Sequence, residues 1–211
     1  MKVRFLDLSI SNSTEKRSLL RSIEKIFDHG QLVMGPEIEL FEKEISNFCS
    51  RKFAISVGSG TEALYLALRS LDIGPGDEVI TTSLSWIATA NAIALTGATP
   101  VFSDIKDDLN IDPSVAESLI TEKTKAILFV NYTGKICAID KLEKIAKKHN
   151  IDLIEDGSQS FGALFRNGVS GSFGKVSAIS HNPMKIFGAT GEAGSVLVDD
   201  QKLFEKLIML R

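Results

Sequence analysis

Cysteine is nearly missing from this 211-residue chain: Cys49 and Cys137 stand far apart and form no Cys-x-x-Cys pair. That excludes a disulfide framework and fits a reducing, cytoplasmic setting. Histidine is almost as scarce, and His29, His149 and His181 are too scattered for the ligand spacing of a zinc-binding helix, so no metal is expected. An excess of charge of one sign is missing too. With 24 basic against 27 acidic residues, the chain has no electrostatic footprint for nucleic acid or an anionic membrane. Its expected partners are small molecules or proteins. The start, Met1-Lys2-Val3-Arg4-Phe5, runs into Asp7 and lacks the apolar stretch and cleavage site of a secretory signal, so no export is implied.

One stretch is long enough to need a membrane test. Residues 81–103 carry no charge, and a spanning helix needs roughly 20 apolar residues. Many of these residues are Thr, Ser or Asn, and Gly97 and Pro100 cut the run into pieces of helix and strand length. An interior segment is expected, with no membrane partner. The composition, 44 % hydrophobic and 24 % charged, is close to the ordinary globular average of about 45–50 % and about 25 %.

Periodicity then gives the fold class. Residues 15–27 and 37–48 read as helices, the second with Phe41, Ile45 and Phe48 at helical spacing. After residue 50 short β-rich runs alternate with helical ones. Strands are predicted at 53–57, 78–82, 99–103, 125–131, 152–155, 176–180 and 194–198. Between them lie a helix with Leu64, Leu68 and Leu71 on one stripe, a helical stretch over 86–95, and an amphipathic helix over 138–149 with Leu142 and Ile145 inward. A last helix over 201–211 sets Leu203, Leu207 and Leu210 on one face. This alternation predicts an α/β domain of about seven strands, mainly parallel, with helices on both faces. The last two strands have no full helix between them, which allows one antiparallel pairing. No Pro-, Ser- or Gly-rich linker divides residues 1–211.

Ligands of open α/β sheets bind beyond the carboxyl ends of the strands. Gly58-Ser59-Gly60-Thr61-Glu62-Ala63 follows one such end, where backbone N–H groups and a helix dipole can hold a phosphate. The same Gly-x-Gly-x-x-Ala also fits a dinucleotide fingerprint, or a turn that simply needs glycine. Against the dinucleotide, the acids Asp77 and Glu78 open the next strand rather than close it. Asp156, with Gln159 three residues on, follows another strand end; such an Asp can hold a positive ring nitrogen or serve as a helix cap. Lys185 follows the strand ending at Ser180, ahead of the glycine-rich 188–194, and reads as a desolvated Schiff-base lysine or a surface one. Trp86, the sole tryptophan, reads as a stacking platform or a core aromatic. No Walker A, zinc-protease or Gly-x-Ser-x-Gly motif is present. A phosphate cradle, a stacking group, an acid and an amine, each at a different strand end, are together the requirements of pyridoxal phosphate (PLP).

At these residues the chain resembles a known family, the fold type I PLP enzymes of the DegT/DnrJ/StrS group, aminotransferases acting on nucleotide-linked keto sugars. The resemblance runs through Gly30-Gln31-Leu32-Val33-Met34-Gly35-Pro36-Glu37, residues 58–64, 74–80, 97–102 and 154–159, Lys185 and residues 188–194. It implies that Lys185 forms the internal aldimine, Asp156 pairs with the pyridinium nitrogen, Gln159 contacts the ring hydroxyl and Trp86 stacks on the ring. Gly60, Thr61 and Ser180 match the family's phosphate contacts. It further implies a two-step exchange through pyridoxamine phosphate, with glutamate as the usual donor, and a homodimer with a shared active site. Asn131-Tyr132-Thr133-Gly134-Lys135 departs from a common aromatic-glycine-glutamine pattern, and Ala193 replaces a common glycine. Relatives continue past Arg211 into a smaller domain, so residues 1–211 are expected to be the large cofactor-binding domain with an N-terminal helical segment.

Overall fold

The computed structural model describes Val3 and residues 5–211. The chain divides into two compact units, residues 1–41 and 42–211. In the first, α1 (Ser13–His29) is capped by Asn12, whose side chain accepts from the Thr14 and Glu15 N–H groups. It ends at Gly30 with φ 73°, a left-handed residue that lets its N–H close back on Ile26. Helix α2 (Pro36–Phe48) runs from the first unit into the second and starts with proline, whose missing N–H costs nothing at that position. Both helices extend slightly beyond the predicted ranges.

In the second unit the strands are β1 (Phe53–Val57), β2 (Glu78–Thr82), β3 (Thr99–Ser103), β4 (Thr124–Val130), β5 (Asp152–Asp156), β6 (Leu164–Phe165), β7 (Gly168–Val169), β8 (Val176–Ser180) and β9 (Gly194–Val198). Seven form one sheet in the order β1-β9-β8-β5-β4-β2-β3. The pairs among β2, β3, β4, β5 and β8 are parallel, and β9 runs antiparallel to both β1 and β8. The seven predicted strands are the seven strands of this sheet. The small antiparallel pair β6-β7 was not foreseen, since two-residue strands carry no readable period.

Helices α3 (Gly60–Ser70), α4 (Ala88–Leu95), α5 (Pro113–Ser118), α6 (Ile139–His149) and α7 (Gln201–Leu210) cover the sheet. Strand β4 shows why both faces are filled. Ala126, Leu128 and Val130 join one apolar cluster with residues of α3, α4 and α7, while Ile127 and Phe129 join another with α5 and α6. Alternate side chains of a strand point to opposite faces, so a continuous apolar run marks a strand buried on both sides. Each fully buried large side chain there contributes about 1.5–3 kcal/mol.

Two apolar stripes fit less well than their spacing suggests. Leu207 is fully buried but Leu210 is exposed, and Ile45 is buried while Phe48 is half exposed at its helix end. Cys49 and Cys137 are unpaired and buried. Burial, reinforced by the Glu155 carboxylate, pushes both thiols up to about 12. Among the described residues no helix is long and apolar enough to cross a membrane; residues 81–103 contribute β3, α4 and the end of β2.

Candidate functional site

The parallel strands end along one edge of the sheet, and the reversed strand β9 starts there. Its first residue, Gly194, pairs with Val57 on one side and Ser180 on the other. Beyond Val57 the chain turns through Gly58 and Ser59 into α3. Ser59 caps that helix, accepting from Glu62 N–H at 3.1 Å, while Glu62 Oε2 accepts from Gly58 N–H at 2.6 Å. This reciprocal arrangement resembles a capping box and stiffens the turn. With Glu62 and Ala63 N–H satisfied by Ser59, the N–H groups of Gly60 and Thr61 are left for a ligand.

Gly60 has no room for a side chain. A Cβ there would lie 2.7 Å from Ser180 Oγ and closer still to its Cβ. Glycine is therefore what lets the turn reach the end of β8. Gly60→Ala is expected to cost about 1–3 kcal/mol by overpacking, seen as a lower thermal midpoint.

At the end of β5, Asp156 is only 4 % exposed. Its Oδ1 accepts from Ser158 N–H at 3.1 Å and its Oδ2 from the Thr89 hydroxyl at 3.1 Å. Ser158 Oγ in turn accepts from Ser180 N–H at 3.0 Å, which ties this turn to the end of β8. Gln159, half-buried, belongs to the same turn. Trp86 is 70 % exposed, not a core aromatic. The helix predicted to include it begins two residues later, at Ala88, and Trp86 stays in the preceding loop with its carbonyl accepting from Thr89 N–H at 3.1 Å.

Lys185 sits in the loop joining β8 to β9, half-buried, with its N–H bonded to Asn182 O at 2.8 Å. Its amine has no acidic partner within ion-pair distance among the described residues. The loop is pinned by His181, which is buried; Nε2 meets Ser195 Oγ at 2.8 Å and Nδ1 meets Phe187 O at 3.1 Å. A carbonyl only accepts, so Nδ1 carries the proton and Nε2 accepts from Ser195. The Phe187 ring stands edge-on to the imidazole, with centroids 5.3 Å apart.

Burial lowers the His181 pKa below 6.5 in the folded chain. The unfolded chain binds this proton first on acidification, so the group's stabilisation is complete above pH 6.5 and declines from there towards the native pKa. The expected result is a denaturant midpoint that drops between about pH 7.5 and about pH 5.5 more in the parent than in His181→Gln. Equal drops in the two proteins refute this assignment.

Three buried polar residues around the site were not foreseen. Thr89 lies one helical turn beyond Trp86 and looked like any polar residue of an uncharged helix. Arg51 and Glu155, far apart in sequence, are both buried. Arg51 donates to Gly171 O at 2.9 Å, Gly174 O at 2.9 Å and Ser177 Oγ at 2.8 Å. Ser177 links it to Glu155 Oε2 at 2.9 Å, and Glu155 also accepts from Gly171 and Phe173 N–H and from the Asn131 amide. This cluster lies directly under the Asp156 turn. Burial raises the Glu155 pKa, against the opposing pull of these N–H donors.

The sequence pattern of the DegT/DnrJ/EryC1/StrS aminotransferase family matches residues 13–211. The chain belongs to this family. It is 39 % identical over 211 residues to the dTDP-3-amino-3,4,6-trideoxy-alpha-D-glucose transaminase of Streptomyces venezuelae, covering 100 % of this chain and 56 % of that one. Among solved structures, S. venezuelae DesV in complex with a ketimine intermediate superposes with a TM-score of 0.95 at 40 % identity, covering 99 % of this chain and 57 % of that chain. Bacillus subtilis NtdA with bound cofactor PMP gives 0.92 at 33 % identity, covering 99 % and 47 %. The chain thus spans about half the length of the relatives it matches.

The cofactor of the DegT/DnrJ/EryC1/StrS family is PLP, and the donor set here fits it. N–H groups at a helix start suit a phosphate, a buried carboxylate suits a protonated ring nitrogen, an unpaired amine suits an aldehyde, and an exposed indole suits a flat ring. A dinucleotide fits poorly. The strand that follows the glycine turn in sequence, β2, is separated from β1 by four others, so an acid on it is too remote to reach a ribose at the turn.

Proposed function

We propose that this chain is the cofactor-binding part of an aminotransferase that moves an amino group from an amino acid, glutamate in our reading, onto a keto sugar linked to a nucleotide. The observation that carries the reading is the close approach of Gly60 to Ser180, two residues far apart in sequence, which sets the glycine turn beside the end of β8 and the Asp156 turn, an arrangement that suits a phosphate. Family membership supports it.

PLP, when bound, supplies an electron sink that carries the amino group between the two substrates. Gly60 and Thr61 N–H with the Ser180 hydroxyl hold its phosphate. Asp156 pairs with the ring nitrogen, Gln159 bonds the ring hydroxyl and Trp86 covers one face. Lys185 would anchor the cofactor through its amine, and its Nζ, when free, would serve as a general base that carries a proton. We further propose a homodimer. Trp86, Ile87, Met184 and Ile186 are all exposed, and a second copy would cover them and exclude water from the chemistry. A cytoplasmic location suits two unpaired cysteines.

The test is spectroscopic. PLP added to the protein is expected to give a visible band that glutamate bleaches and a nucleotide-linked keto sugar restores. A band that glutamate never changes would instead mean a chain that keeps the fold and cofactor as a binding or assembly module.

A further inference from the structure

The Thr89 hydroxyl is buried in the first turn of α4 and donates to Asp156 Oδ2. A carboxylate oxygen can only accept, so the one proton of Thr89 is committed there. Ser85 Oγ lies 2.8 Å from the same Thr89 oxygen, and the hydrogen in that contact must then be the serine's own. The chain of bonds has a direction, Ser85 to Thr89 to Asp156, and each bond polarises the next. Ser85 is also the residue before Trp86, whose carbonyl is held by Thr89 N–H.

We propose that this hydroxyl relay positions the cofactor. It fixes the Asp156 carboxylate in one orientation, each oxygen holding one protein donor and keeping one lone pair for the ring nitrogen. It also locks the loop that carries Trp86 to that same carboxylate, so the group meeting the ring's edge and the group covering its face move as one piece. Thr89 and Ser85 are positioning residues, acting through Asp156 and Trp86. The inference rests on the PLP reading above.

Titration of the protein with PLP, followed by absorbance and tryptophan fluorescence, tests it without an activity assay. Thr89→Val keeps the shape and removes the donor, and a roughly tenfold weaker dissociation constant is expected from loss of a hydrogen bond to a charged group. Thr89→Ser is expected to bind within about twofold of the parent, and Ser85→Ala about threefold more weakly. The relay makes a sharper statement about the pair: adding Ser85→Ala to Thr89→Val changes nothing further, because the serine acts only through the threonine. Unchanged binding by Thr89→Val, or independent additive losses, overturns the relay. If Thr89→Val does not fold, as the thermal midpoint of the cofactor-free protein will show, unchanged binding by Ser85→Ala overturns it instead. A parent chain that takes up no PLP sinks the functional reading and the relay with it, whereas parent uptake with normal Thr89→Val binding sinks the relay alone.

Discussion

Lys185→Ala is expected to fold and to take up PLP weakly, yet borohydride should no longer fix the cofactor covalently to the chain. In the parent, the label should map to the peptide containing Lys185. The residue is half-buried in a loop and has no acidic partner among those described, so its removal leaves no buried charge unpaired and little stability is at stake. The chemical loss is large. Removing the group proposed to move the proton is expected to slow amino transfer by about 10²–10⁴-fold, on top of the loss of the proposed anchor. Lys185→Arg, which keeps charge and most of the volume but cannot attack an aldehyde, should be as inactive as alanine. A label on Lys135 or any other lysine would falsify the assignment.

Arg51→Ala is expected to be the most destabilising single change in the sheet unit. Its guanidinium answers the carbonyls of Gly171, Phe173 and Gly174 and reaches Glu155 through Ser177. Its removal leaves those carbonyls without their donor and Glu155 without the positive charge that favours its ionised form; each buried polar group left unsatisfied costs about 1–3 kcal/mol, against a total stability of about 5–15 kcal/mol. The ion pair Arg51 makes with Asp199 at 2.8 Å adds little, since Asp199 is half exposed. The loss should depend on pH in a direction that identifies its source. Glu155 has its folded pKa raised above 4.5, so the folded chain keeps a proton that the unfolded chain has released. Its contribution to stability is therefore greatest below pH 4.5 and shrinks as pH rises through the native pKa. Without Arg51 the carboxylate is harder to bury charged, and lowering the pH from about 7 to about 5 should recover more of the denaturant midpoint in Arg51→Ala than in the parent. No recovery would mean that the orphaned carbonyls, and not Glu155, account for the loss.

Much of this was legible in the sequence, and the reasons are specific. Strand β4 announced itself because a run of apolar residues with no polar break fits only a strand covered on both faces. The stop after α3 was written in Gly74-Pro75-Gly76. Gly60, Asp156 and Lys185 stood out as chemistry-bearing residues just past strand ends, where open sheets bind ligands. Less was legible where elements are short or where partners are distant. Helix α5, six residues long, and the two-residue strands β6 and β7 offer too few positions for a period to show. Trp86 was placed on the helix it only precedes, because a propensity pattern does not fix the first residue of a helix that lacks a side-chain cap.

The amino-acid sequence by itself determined the seven strands of the main sheet and the longer helices, and which residues carry an amine, a carboxylate or a glycine turn, because those depend on neighbours a few positions away. Only the tertiary structure decided the order in which the strands lie. By inserting the reversed strand β9 between β1 and β8, it set Gly60 against Ser180 and both beside the Asp156 turn. It also gave Thr89 its carboxylate, a pairing made across 67 residues, and brought Arg51 to Glu155 through Ser177. Such pairings follow from how two apolar clusters fill the two faces of one sheet, a condition on the whole chain that no local pattern contains.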